Sequence, residues 1–168
     1  MIKSIYNYKQ FSPNLTTGGQ PDENELHAIG RAGYEVVINL GLDGTEYSVQ
    51  NEKEIIESYG IQYIHIPVSF EAPEVEKYWA FATFLKTVSY KKVFVHCAAN
   101  KRVSIFMALF RVIEEGLPCR QAIEGILSIW EPSEVWENFM NELLRTTNKT
   151  VGNALNEVLR DAVRPWAI

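Results

Sequence analysis

Cysteine is nearly absent, with two residues, Cys97 and Cys119, in a chain of 168. Two thiols cannot staple a small secreted fold, and neither they nor the three histidines show the spacing of a zinc site. No metal or other cofactor is therefore expected. An excess of positive charge is missing too: 16 Lys and Arg face 21 Asp and Glu, for a net charge of −5. That excludes a strongly basic nucleic-acid binder as the default, though not a local basic pocket. Long apolar runs are lacking. The longest near-apolar stretch, Val103 to Ile113, is broken by Ser104 and Arg111 and is too short to span a bilayer. Met1 to Gln10 alternates polar and aromatic residues without an apolar signal segment. There is no internal repeat, low-complexity tract or Gly/Ser/Pro linker. These absences point to a soluble protein of a reducing, cytoplasmic compartment, with neither nucleic acid nor membrane as partner.

What the chain does contain is a core. A composition 46% hydrophobic and 12% aromatic against 22% charged is too apolar for disorder, and 168 residues make one domain. The first half alternates strand-like and helix-like segments. Asp22 and Glu25 have capping-box spacing at the start of a helix that Gly33 stops. Tyr34 to Leu40 is a buried-strand run, and Gly41 to Gly44 is a loop leading to a short helix around Glu52 to Tyr59. Ile61 to Val68 is a second strand, Glu74 to Val88 an amphipathic helix, and Val93 to His96 a third strand. This alternation predicts an α/β fold, with helices on both faces of a parallel sheet. After Arg102 the strand signal ends, and helices are expected over 103–115, 120–130, 133–145 and 151–163. The apolar stripe of the last (Val151, Ala154, Leu155, Val158, Leu159, Ala162, Val163) folds back on the domain or pairs with a second copy as a homodimer.

The chemistry concentrates where the third strand meets the next helix, at His96-Cys97-Ala98-Ala99-Asn100-Lys101-Arg102-Val103-Ser104. The carboxyl end of a parallel strand feeding a helix N-terminus is where open α/β sheets hold anions, because unpaired N–H groups and the helix dipole converge there. The same field favours a thiolate: thiol pKa values at such positions fall from about 8.5 to roughly 3.5–7.5. Cys97 is thus a candidate nucleophile beside an anion cradle, and attack on phosphorus needs that pairing together with a guanidinium.

His96-Cys97, a short loop and a hydroxyl residue on the helix resemble the His-Cys-x5-Arg-Ser/Thr signature of the cysteine-dependent protein tyrosine and dual-specificity phosphatases. More closely, the chain resembles the bacterial phosphatase-like family DUF442. The likeness rests on Gly18-Gly19-Gln20-Pro21, Val36 to Leu40, Tyr63 to Val68 and the cysteine loop. It covers about residues 15–117 of a single domain, 1–168, whose remainder, about 118–168, is helical. It implies a phosphatase-type fold with a central, mostly parallel sheet flanked by helices and extra C-terminal helices. It also implies a phosphorylated protein or small phosphomonoester as substrate.

By the same resemblance Cys97 attacks phosphorus, Arg102 binds the oxygens and Ser104 donates to the departing sulfur. Ala98, Ala99, Asn100, Lys101, Arg102 and Val103 form the phosphate loop, with His96, Asn39 and Gln20 supporting it. The aspartate these phosphatases use as general acid is missing from Pro67 to Pro73, where Glu71 is the sole carboxylate. The loop also departs from the signature, because the sixth residue after Cys97 is Val103 and the arginine is the fifth. Successive helical residues point about 100° apart, so one backbone cannot serve both. Either the loop is one residue shorter and Arg102 turns inward, or Val103 replaces the arginine. The second case makes the chain a pseudophosphatase that binds an anion without turnover. A six-residue loop is also the length found in rhodanese-like sulfurtransferases, and relatives of this domain are joined to metallohydrolases of persulfide metabolism, which keeps sulfur transfer open. Asn100 stands at the signature glycine and tolerates a left-handed backbone. His65 is on a strand expected beside His96, but two histidines without a third ligand do not make a metal site.

Overall fold

Two short runs of buried residues set the centre of the molecule. Val36–Asn39 and Val93–His96 are each buried at all four positions. They pair in parallel, Val36 opposite Val93 and Asn39 opposite His96. The computed structural model describes residues 1–147. Along them run β1 (Lys9–Ser12), β2 (Leu15–Gly18), α1 (Glu23–Arg31), β3 (Val36–Asn39), α2 (Glu52–Ser58), β4 (Gln62–His65), α3 (Val75–Thr87), β5 (Val93–His96), α4 (Lys101–Ile113), α5 (Cys119–Leu127) and α6 (Glu134–Thr147). The strands form one sheet in the order β1-β2-β5-β3-β4. All neighbours are parallel except β1 and β2, which are antiparallel.

The α/β alternation expected from the sequence is present, and so is the capping box. Asp22 accepts from the Glu25 N–H at 2.8 Å while the Glu25 carboxylate accepts from the Asp22 N–H at 3.0 Å. The period of two sorts strand side chains between two cores. Val37 and Phe94 face α1 and α2, where they meet Leu26, Ile29 and Ile56. Val36, Ile38, Val93 and Val95 face the other core, shared by α3, α4 and α6. In that core Phe106 stacks on Phe139 with centroids 5.7 Å apart, and Trp136 meets Phe139 edge-on at 5.4 Å. Helix α4 is apolar nearly all round because it is buried from Arg102 through Phe110.

One element was not expected and two expectations need correction. The β1–β2 hairpin is the unexpected element: β1 alternates half-buried and exposed positions with Phe11 as its one apolar residue, and β2 buries two threonines. Those threonines are hydrogen-bonded, Thr16 to the Tyr34 hydroxyl at 2.9 Å and Thr17 to the Asn100 amide at 3.0 Å. Helix α4 starts at Lys101, two residues before the apolar run, since polar first-turn residues carry no periodic signal. His65 does not neighbour His96, because β3 lies between them and Asn39 pairs with both residues. The expected helix over 151–163, with the homodimer through it, lies outside the described residues. No helix among those described is long and apolar enough to cross a membrane.

Candidate active site

Strand β5 delivers Cys97 to the carboxyl edge of the sheet, and the chain then reverses within three residues. Asn100 makes this possible by taking a left-handed backbone, φ 60° and ψ 10°, immediately before α4. Its side chain is fully buried, and its amide donates to the Asn7 carbonyl at 2.8 Å and to Thr17 Oγ1 at 3.0 Å. The loop carbonyls are also drawn outward. Ala98 O accepts from the Gln20 N–H at 2.9 Å, and Ala99 O accepts from the Asn7 amide at 3.0 Å. The N–H groups of the loop have fewer such partners. Those of Ala98, Ala99, Lys101, Arg102 and Val103 have no backbone acceptor among the described residues, as the first turn of a helix requires.

Gly18-Gly19-Gln20-Pro21 gains a physical meaning here. A Cβ at Gly19 would lie 2.8 Å from Ala98 O and 3.1 Å from Tyr6 O, both backbone atoms with little room to move. Gly19→Ala is therefore expected to cost about 1–3 kcal/mol in urea unfolding and to displace the Ala98 peptide. Unchanged stability would show that the N-terminal segment yields instead.

Arg102 decides between the two loop readings. It is 4% exposed and turned inward; with Cys97, Lys101, Tyr47, Phe70 and Glu71 it lines a cavity of about 370 Å³. Its Nη1 donates to Val68 O at 2.8 Å and its Nη2 to the Tyr47 hydroxyl at 3.3 Å, while Nε is buried without an acceptor. The Tyr47 and Phe70 rings stand 5.9 and 6.0 Å from the guanidinium carbon. No carboxylate pairs with it among the described residues. Val103 points the other way, fully buried in the apolar core, so the loop is the shorter one and the Val103 side chain takes no part in the cavity.

Beneath the loop lies a buried relay. His96 Nε2 is 2.5 Å from Glu52 Oε1; an ionised carboxylate can only accept, so this nitrogen carries the proton. Gln20 donates to the other Glu52 oxygen at 2.8 Å. Burial pushes the Glu52 carboxyl upward, but the charge and hydrogen bond of His96 and the Gln20 donor outweigh it, holding the group below its ordinary value. Asn39 caps the end of its own strand, accepting from the Gly41 N–H at 2.7 Å and donating to the Tyr63 hydroxyl at 3.0 Å.

The other expected residues fall in different places. Ser104 uses its one hydrogen on the Lys101 carbonyl at 2.6 Å and accepts from the Trp130 indole at 3.0 Å, so its hydroxyl is not directed at the Cys97 sulfur. In a loop one residue shorter, the seventh position has rotated past the nucleophile. Glu71 stands exposed at the cavity rim and makes no hydrogen bond among the described residues. Its segment is clamped by the Trp136 indole, which donates to Phe70 O at 3.0 Å. Tyr47 and Glu52 were missed in the sequence. Tyr47 belongs to the loop leaving the carboxyl end of β3, a central strand, and such loops border the ligand crevice of an α/β sheet. Glu52 opens a short helix and gives no sign of burial. No group of three or more His, Cys, Asp or Glu is placed to hold a metal ion among the described residues.

Residues 5–138 match the family described as DSP-PTPase phosphatase fused to NAD+ kinase. The chain belongs to that family. Its fold is that of the cysteine-based phosphatases. A DUF442 phosphatase-like protein of Shewanella putrefaciens CN-32 superposes with a TM-score of 0.78 at 28% identity, over 88% of this chain and 97% of that one. Tk-PTP in its active form does so with a TM-score of 0.66 at 23% identity, over 85% and 97%. The Beta-lactamase hydrolase-like protein of Xylella fastidiosa (strain Temecula1) is 30% identical over 115 residues, 67% of this chain and 26% of that protein. The chain thus spans about a quarter of that relative. The family match covers the β1–β2 hairpin, the cysteine loop and the segment bearing Tyr47.

Proposed function

We propose that this chain is a cysteine-dependent phosphomonoesterase of the protein tyrosine and dual-specificity type, acting on a phosphorylated protein or a small phosphomonoester. The observation that carries the reading is the buried Arg102 guanidinium. It lines the Cys97 cavity and, among the described residues, lacks a carboxylate partner and keeps a donor unspent. A buried cation without a counter-ion is unfavourable by several kcal/mol unless an anion is supplied, and the loop N–H groups without a backbone acceptor offer donors for the same anion. Cys97 Sγ attacks phosphorus, the loop N–H groups and Arg102 hold the equatorial oxygens, and water then releases phosphate from the cysteinyl-phosphate. His96 and the loop amides of Ala98 to Val103 support that geometry.

Anion binding without turnover rests on Val103 at the arginine position and on the missing aspartate; the inward Arg102 speaks against the first ground, while the second stands, with Glu71 the sole carboxylate of its segment. Sulfur transfer through a Cys97 persulfide is the second reading, favoured by the six-residue span from Cys97 to Arg102. One experiment separates them. The wild-type chain is expected to hydrolyse 4-nitrophenyl phosphate with inhibition by vanadate, and to form no thiocyanate from thiosulfate and cyanide. The reverse pattern overturns the phosphatase reading in favour of sulfur transfer.

A further inference from the structure

We propose that the leaving group takes its proton from the Tyr47 phenol rather than from a carboxyl, an assignment that rests on the phosphatase reading of Cys97 and Arg102. Ester cleavage expels an alkoxide or phenoxide, and a positioned acid must protonate it. Among the carboxyl and phenol groups lining the cavity there are two candidates. Glu71 is exposed and nothing orients it among the described residues. Tyr47 is half-buried and fixed from two sides: its oxygen accepts from the Leu42 N–H at 3.1 Å and from Arg102 Nη2 at 3.3 Å. Both bonds use the oxygen's acceptor capacity, so the phenolic hydrogen remains to be given.

The ring is close to the nucleophile as well. A Cβ built at Gly41 would lie 3.4 Å from Tyr47 Cε2 and 3.8 Å from Cys97 Cα, so the phenol and the cysteine backbone face each other across that glycine. The surroundings favour release of the proton. Burial pushes the phenol up, but the Arg102 donor and charge, the Leu42 N–H and Thr45 bring it below its ordinary value of 10.0. Burial instead moves Tyr34, Tyr63 and Tyr78 upward.

The step balances as follows. Cys97 Sγ forms the S–P bond as the P–O bond to the leaving group breaks, and that electron pair goes to the leaving oxygen. Tyr47 Oη gives its proton to that oxygen, leaving a phenolate that the Arg102 guanidinium and the Leu42 N–H stabilise. In the second half, water attacks phosphorus, Tyr47 recovers a proton from that water, and the S–P bond breaks to return the thiolate and free phosphate. A phenol is a stronger acid than an alcohol, so it protonates an alkoxide downhill. The site therefore suits alkyl phosphomonoesters, whose poor leaving groups need the acid most.

The test compares Tyr47→Phe, Glu71→Gln and wild type on phenyl phosphate and 2,4-dinitrophenyl phosphate. Phenylalanine keeps the ring and removes only the hydroxyl. Tyr47→Phe is expected to lose about 10²–10³-fold in kcat on phenyl phosphate and only a few-fold on the dinitrophenyl ester, whose leaving group departs without a proton. An equal loss on both esters makes Tyr47 a support for Arg102 and overturns the assignment. The leaving-group-dependent loss appearing in Glu71→Gln overturns it in favour of the carboxyl. A wild type that turns over neither ester overturns the phosphatase reading itself, and the assignment falls with it.

Discussion

Replacing Arg102 by methionine is expected to lower kcat/KM for a phosphomonoester by about 10³–10⁵-fold, the range that arginines contribute to phosphoryl transfer, while the protein still folds. The two outcomes come from one feature. The guanidinium is the buried cation of the cavity, it keeps Nε for a ligand, and no carboxylate among the described residues neutralises it. Its removal relieves an uncompensated buried charge, a change often neutral or stabilising by about 1–4 kcal/mol when an apolar side chain fills the volume. Against this, Val68 O and the Tyr47 hydroxyl lose their donor, at about 1–3 kcal/mol for a buried acceptor left unpaired. The terms offset to within roughly 2 kcal/mol, or about 4–8 °C in Tm for a domain of this size. Lysine should not rescue activity, because a point charge cannot replace a planar fork held at two fixed sites. Thermal melts with and without inorganic phosphate read the clamp directly: phosphate should raise the wild-type Tm and leave that of Arg102→Met unchanged. A methionine variant with wild-type turnover, or with the same phosphate-induced shift, would show that the oxygens are held elsewhere.

The parts of the fold that burial dictates were legible in the sequence. Val36–Asn39 and Val93–His96 are wholly buried, so their side chains had to be β-branched, apolar or hydrogen-bonded, and the runs stand out. The capping box at Asp22 was visible because it is a local, two-residue geometry. The hairpin was hidden because β1 offers one apolar residue, Phe11, among half-buried and exposed polar ones, with β2 as its hydrogen-bonding partner. Within the site, Cys97 and Asn100 could be placed by their positions between a strand and a helix. The direction of Arg102 could not, since one residue of register on a helix changes its heading by about 100°, and only the left-handed turn at Asn100 fixes that register. The same register turned Ser104 toward Trp130. Glu52 and Tyr47 reach the site through contacts spanning 44 and 55 residues of sequence, to His96 and Arg102 respectively. No local pattern announces such contacts.

Glu52→Ala is expected to lower stability at pH 7 by about 1–3 kcal/mol, the cost of leaving a buried hydrogen-bond donor unpaired. The carboxylate is 5% exposed against a fully buried His96, and it ties together the end of β5, the Gln20 segment and the start of α2. Glu52→Gln keeps the shape and a hydrogen-bonding group, so it should lose less, and it isolates the charge. The pH dependence gives the sign. The folded-state value of Glu52 lies below the ordinary 4.5, so the native state binds fewer protons than the unfolded chain in that range. The stabilisation is then fully present above about pH 4.5 and drains away as pH falls through the lowered folded value. The stability gap between wild type and Glu52→Gln, measured by urea unfolding from pH 7 to pH 3, should therefore narrow on acidification. A gap that stays constant would mean that Glu52 acts through shape alone. In that case His96 would owe its position under Cys97 to packing against Phe94, whose ring centroid lies 6.0 Å away, rather than to the carboxylate.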